Sequence, residues 1–289
     1  MDESTAQQAA RTFVAPLDVS GICSDLSPYA DAANAILRFE RLNEGECGFT
    51  VTKPSGEHVI TVNTLERERR QRFTICHEIG HIVLSLPSRH EELPSWSFAK
   101  RDPNEVSSDV FAAELLMPYR QFKVRIPGGE PDVALIERLA DEFRTSYPAA
   151  ASRYATLTDL PCAFVTMQGG LVRYAARSTA LRQARGWITP RTPIPLGSIA
   201  HRLRAGGQNA VDSGDVAQDV WLENWDSAGD LCEIARHYPR FDTTLSLLWF
   251  LPEDAPEVET DRFGRQVEDD DDLPELTGEL PWPGKSRRK

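Results

Sequence analysis

The chain has 289 residues, 40% of them apolar, and a formal net charge of −12. It can bury a sizeable core over two or three domains, no apolar run approaches the ~18 residues of a membrane span, and the acidic balance argues against a large nucleic-acid footprint. Five scattered cysteines (Cys23, Cys47, Cys76, Cys162, Cys232) with no CxxC pair read as free thiols rather than a disulfide framework.

The N-terminus, "MDESTAQQAARTF", lacks the basic and apolar regions of a signal peptide, so a cytoplasmic protein is expected. Residues 4–14 and 27–41 are predicted helices, the second with Ser27 as N-cap and Pro28 at N1. "CGFTVTKPSGEHVITVN" reads as a hairpin: residues 47–53 alternate, a Pro-Ser-Gly turn follows, and 58–63 return as a strand. "TLERERRQRFTICHEIGHIVLSL" is a long helical segment, ended by Pro87 because proline cannot continue the hydrogen-bond ladder. Residues 88–103 read as a loop, and "NEVSSDVFAAELLMP" as a second helix with Asn104 as its cap and Pro118 beyond its end.

Residues 132–143 and 147–157 are expected as a helix pair. From Cys162 the pattern changes: strand, Gly-Gly turn, strand, then a helix in "LGSIAHRLRAG" and a strand in "TTLSLLWFLP". The order expected over 162–252 is strand–strand–helix–helix–strand–strand. From Glu253 onward there are 12 acids and 6 bases, so this tail holds −6 of the net charge. Its composition predicts disorder.

Within the long helix, His77 and His81 stand four residues apart, about one turn, and project from one face. Glu78 lies ~100° around from His77 and ~60° from His81. This is the H-E-x-x-H arrangement: two imidazole ligands and a carboxylate beside the metal. The competing reading is an amphipathic helix with histidines on its buried face. Ile75, Ile79, Ile82, Val83 and Leu86 do make the helix largely buried, but two buried histidines need partners, and a metal serves both.

A catalytic zinc takes three protein ligands and keeps one position open. The second helix offers Glu105, Asp109 and Glu114. Glu105 and Asp109 are four apart and share a face; Glu114, nine residues from Glu105, falls ~180° around and is expected as a solvated or surface-paired acid. Glu105 is therefore the expected ligand. Asp109, one turn on, is placed to accept the other ring N–H of a liganding histidine. Cys76 points ~100° away from His77 and is not expected to join. The oxyanion donor is not readable; Tyr119 and His90 are merely near in sequence.

"HEIGH" followed by "NEVSSD" resembles the gluzincin peptidases. More closely, "RERRQRFTICHEIGHIVL" followed by "DVFAAELLMP" is similar to the ImmA/IrrE family of bacterial and phage metallopeptidases, matching at Arg70, Arg72–Thr74, His77, Glu78, Gly80 and His81, then at Phe111–Ala113 and Leu115–Pro118. Family members usually carry Asn where Asp109 stands and often acids where Ser107 and Ser108 stand. Glu105 falls on the family's glutamate position.

The resemblance implies an α+β protein: a zincin-like metallopeptidase domain over residues 1–120, a helix-turn-helix-like module over 121–160, a smaller α+β, GAF-like sensor or regulatory domain over 161–252, and the acidic tail 253–289. It implies a Zn²⁺ enzyme (Mn²⁺ serving in vitro) in which His77, His81 and Glu105 hold the metal and Glu78 is the catalytic base. The substrate it implies is a helix-turn-helix transcriptional repressor, cut to relieve repression under stress or during mobile-element induction. No membrane partner is expected, and nucleic-acid binding is expected to be weak. The second helix of the 132–157 pair has one base, Arg153, where a recognition helix would present several, so packing is its expected role. "HRLRAGG" (201–207) reads as a solvated basic face, and Trp221 and Trp225 as core or pocket lining. The alternative from a different class is a non-catalytic, metal-containing transcription regulator that binds DNA or a partner.

Overall fold

The computed structural model describes residues 3–17, 21–43, 45–87, 102–223, 225 and 229–255. The chain begins with α1 (Glu3–Val14) and α2 (Ser27–Ala32). The predicted helix over 27–41 stops at Ala32. Asn34 takes a left-handed backbone (φ 52°), and Ala35–Glu40 becomes strand β1. The stretch "AILRFE" carries β-favouring Ile and Phe, and β1 has a strand to pair with.

That strand belongs to the expected hairpin, β2 (Gly48–Thr52) and β3 (His58–Asn63), which pair antiparallel; β1 pairs parallel to β3. Among the described residues they form a three-stranded sheet in the order β1-β3-β2, so β2 is an edge. Gly48 lets that edge sit close: a Cβ there would lie 2.5 Å from the Thr61 carbonyl oxygen and 2.7 Å from Thr74 Cγ2.

Thr74 lies on α3 (Glu68–Val83), the helix of the HExxH motif. It is shorter than its pattern suggested at both ends, with Leu84 as C-cap, so it stops before Pro87. The next helix, α4 (Pro103–Leu116), is capped by Asp102, whose side chain accepts from the Asn104 N–H at 2.9 Å. Asp102 thus takes the capping role expected of Asn104. Pro103 fills N1, where a missing N–H costs nothing. Most of the expected loop before α4, including His90, lies outside the described residues.

Short α5 (Tyr119–Lys123) leads to the expected helix pair, α6 (Val133–Glu142) and α7 (Tyr147–Leu157). Then come β4 (Cys162–Gln168), β5 (Leu171–Arg177), α8 (Thr179–Gln183), α9 (Ile199–Gly206), β6 (Ala210–Ala217), β7 (Asp230–Tyr238) and β8 (Thr243–Trp249). Three strands follow the helices where two were expected. The pattern of β6, "AVDSGDVA", is weak because an edge strand needs less apolar content. Among the described residues the second sheet is antiparallel, in the order β5-β4-β8-β7-β6. The architecture is mixed α+β.

One face of this sheet (Phe164, Leu245, Leu247) shares a core with α1, α3, α4, α6 and α7; the other (Val165, Met167, Leu248) packs with Ile199 of α9 and with Trp221. Trp221 is buried and also lines a cavity of about 250 Å³; Trp225 packs on Phe250. Glu233 of β7, fully buried, accepts from the Ile199 and Ala200 N–H groups at the start of α9, from Trp221 Nε1 and from Ser246 Oγ. Pro252–Asp254, at the start of the expected tail, forms a 3-10 turn; Trp282 and the residues from 256 lie outside the described ones. Among the described residues, no helix is long and apolar enough to cross a membrane.

Candidate metal centre

Helices α3 and α4 meet at Gly80. A Cβ there would lie 3.2 Å from both Cα and the carbonyl oxygen of Ser108 and 3.4 Å from Phe111 Cβ, so a larger residue would push the two backbones apart by a few tenths of an ångström. This approach brings the first turns of α4 against the middle of α3. His77 Nε2 stands 3.2 Å from Glu105 Oε2, His81 Nε2 lies 3.4 Å from Glu105 Oε1, and the two Nε2 atoms are 3.1 Å apart. Among the described residues these three form the group that could hold a metal ion, their ligand atoms all within 4.8 Å of one another.

The donors fit a cation. His77 Nδ1 and Asp109 Oδ1 are 2.8 Å apart, which assigns the His77 proton to Nδ1 in the neutral ring and leaves a lone pair on Nε2 facing the group. Buried Glu105 Oε1 has no hydrogen-bond partner among the described residues, and neither does His81 Nδ1. Two nitrogens facing each other beside an orphaned carboxylate oxygen are poorly satisfied by protons alone; a divalent ion accepts all three lone pairs. With only protein charges around it, His77 is disfavoured as a cation by burial, yet its hydrogen bonds to Asp109 and Glu105 raise its pKa to about 10. For Glu105, burial pulls upward, but the two histidines hold the carboxyl well below the usual range.

Glu78 is 3% exposed and flanks the group. Its Oε2 accepts a hydrogen bond from Thr50 Oγ1 at 2.7 Å. Thr50 was not among the residues singled out from sequence. Its signal was present, since strand alternation puts Thr50 with Gly48 and Thr52 on one face of β2, but which face meets α3 is a tertiary fact. Cys76, fully buried, stands outside the group, its thiol pushed up by burial. All five cysteines are free thiols.

Glu114 corrects the expectation of a solvated acid. It is 3% exposed, bonded by Arg153 of α7 and by Arg11 Nε of α1 at 2.9 Å, and it accepts the Tyr119 N–H at 3.0 Å. The ~180° separation from Glu105 holds, but that far side of α4 faces other helices rather than water. Arg153 is buried too, its Nε donating to the Met117 carbonyl, so the base of the would-be recognition helix points into the core.

Residues 30–154 match the model of the IrrE N-terminal-like domain, Peptidase_M78. Residues 30–154 therefore carry an IrrE N-terminal-like domain. The domain spans β1 to α7 and contains every residue of the candidate centre. Among solved structures, a Mycobacterium tuberculosis transcriptional regulator is similar at 13% identity, with a TM-score of 0.59, over 87% of this chain and 77% of that one. At that identity the likeness is one of fold. No curated protein matches the chain.

Two results are expected for this candidate centre. The parent protein should carry about one metal per chain by elemental analysis; His81→Ala should lose it, whereas Cys76→Ser should keep it. Metal retained at parental affinity in His81→Ala would remove His81 from the ligand set. Asp109→Ala should weaken metal affinity about 10–100-fold. Asp109→Asn should be milder, because its amide oxygen still accepts the His77 Nδ1–H; titration with a competing chelator separates the two, and no change in either variant would exclude the orienting role.

Proposed function

We propose that this protein is a zinc-dependent endopeptidase that cleaves a helix-turn-helix transcriptional repressor. The observation that carries the reading is the convergence of His77, His81 and Glu105 with the Glu78 carboxylate held alongside. The N,N,O donor set suits Zn²⁺, with Mn²⁺ able to substitute in vitro. When bound, such a cation supplies Lewis acidity, activating water and polarising a carbonyl. Glu78 takes the proton of the attacking water and delivers it to the leaving amine. Thr50 keeps the carboxylate aimed, and Asp109 fixes the ring of His77. The second sheet with α8 and α9 serves as the sensor or regulatory part, GAF-like in the family's IrrE branch, and the protein works in the cytoplasm.

The substrate is drawn from the likeness of residues 30–154 to the IrrE N-terminal-like domain and from the need for selectivity: a protease that inactivates one regulator must spare the rest of the proteome. Mass spectrometry of the repressor encoded beside this chain, incubated with metal-loaded protein, should show a single cut near the boundary of its DNA-binding and dimerisation parts, since separating them destroys bivalent operator binding. The cut should stop with chelator, and casein should survive. An intact repressor at full metal loading would favour the second reading, a non-catalytic metal-containing regulator. Broad degradation of casein would keep the peptidase and discard the specific substrate.

A further inference from the structure

One face of α3 floors the candidate centre, and that face extends beyond the metal group. Seen down the helix, Arg70 and His77 fall within ~20° of each other, with Glu78 ~80° to one side of Arg70 and Gly80 ~80° to the other. Both sides are occupied. On the Glu78 side stands β2: Thr50 donates to Glu78 at 2.7 Å, and a Cβ at Gly48 would meet Thr74 Cγ2 at 2.7 Å. On the Gly80 side stands α4, through Ser108 and Phe111. Between these walls the Phe73 and His77 rings have centroids 6.0 Å apart, and the Arg70 guanidinium lies 5.6 Å from the Phe73 centroid. Arg70, Phe73 and His77 are each partly exposed, while Thr74–Cys76 are buried. An accessible stripe of the helix therefore runs from the metal group to Arg70.

Arg70 differs from its neighbours on α3. Arg69 pairs with Asp141, and Arg72 donates to the Ser24 and Cys23 carbonyls, both at 2.6 Å. Arg70 Nε donates to Cys47 Sγ at 3.3 Å, which fixes the guanidinium beside the start of β2, yet among the described residues no carboxylate pairs with it. A guanidinium held by a thiol and an aromatic face keeps its terminal N–H groups for another acceptor, and its planar fork suits a carboxylate.

We propose that Arg70 is a subsite for an acidic side chain of the peptide substrate, about three residues from the bond that is cut. The spacing follows from two periods. Seven residues of helix separate Arg70 from His77, about 10.5 Å along the axis, and an extended peptide covers that in about three residues at ~3.3 Å each. The proposal rests on the peptidase reading and adds to it a reason for selectivity. A chain of net −12 repels acidic peptides over most of its surface, so a cation in the cleft discriminates by the position of an acid rather than by overall charge.

The test uses alanine tetrapeptides carrying a hydroxamate, which chelates zinc at its open position and anchors the chain without being cut. Glu, Gln or Lys is placed at each position in turn, with the hydroxamate at either end, and binding to the zinc-loaded full-length protein is measured by calorimetry. In one chain direction, Glu at the third residue should bind about fivefold to tenfold more tightly than Gln, as a partly exposed charge-assisted pair allows. Arg70→Met, which keeps an apolar stem over Phe73, should lose that ratio. Arg70→Lys should keep much of it, and Arg70→Glu should turn the preference to Lys. If Arg70 merely held β2 in place, its loss would lower all the affinities together and leave the ratios alone. No Glu preference in the parent, the same preference in Arg70→Met, or no binding of any hydroxamate by the parent would overturn the proposal. The repressor judges the peptidase reading separately: an intact repressor beside a Glu preference lost in Arg70→Met would sink that reading and leave Arg70 as a contact for bound peptide.

Discussion

Replacing Glu78 by glutamine should lower cleavage of the repressor by about 10²–10⁴-fold, the usual contribution of a positioned general base, while metal content stays at the parental level. The physical reason lies in the split of roles. Glu78 stands outside the His77–His81–Glu105 group, so its charge is not needed to hold the cation. Glutamine has the same shape, and its amide oxygen can still accept the Thr50 hydroxyl, which contacts Glu78 Oε2 at 2.7 Å. Only the capacity to take a proton is lost. Single-turnover cleavage followed by mass, alongside elemental analysis, reads the two quantities separately. Unchanged cleavage would exclude Glu78 as the base; a joint loss of metal and activity would mean that Glu78 supports the centre itself.

The second large effect is on stability. Glu114→Ala should destabilise the fold by about 3–5 kcal/mol, because it strands the buried Arg153 guanidinium without its counter-charge. Glu114 joins three helices, Arg11 of α1, its own α4 and Arg153 of α7, and it also satisfies the Tyr119 N–H at the start of α5. Only Arg11 among its charged partners is well exposed, at 42%, so solvent can compensate just that arm. Urea denaturation should show a lower midpoint at unchanged slope. Glu114→Gln should lose less, since it keeps the shape and the acceptor oxygen. A Glu114→Ala variant that unfolds at the parental midpoint would show that the network contributes nothing net.

Both predictions depend on neighbours that sequence spacing handled unequally. Within one helix, spacing is geometry: four residues are about one turn, so the shared face of His77 and His81, that of Glu105 and Asp109, and the opposition of Glu114 were all legible before any fold was known. The pairing of the two helices was legible through the family motif, and Gly80 within it is the position where they touch. Local rules also placed the hairpin over 48–63, the helix pair 133–157 and the strand pair around Gly169–Gly170, because turn residues and alternation act over a few positions.

What lay beyond spacing was decided by partners distant in the chain. Residues 35–40 are a strand because β3 offers a parallel edge, and no helical periodicity in "AILRFE" could reveal that. Thr50 reaches Glu78 because Gly48 lets an edge strand settle against α3. The outward side of α4 is solvent in an isolated helix and a buried ion-pair network here, because α1 and α7 cover it. By itself, then, the amino-acid sequence determined which side chains could meet on one helical face, and so the donor set of the candidate centre. Which faces met other elements rather than water was settled only by tertiary packing, since burial belongs to the assembled core and not to any single segment.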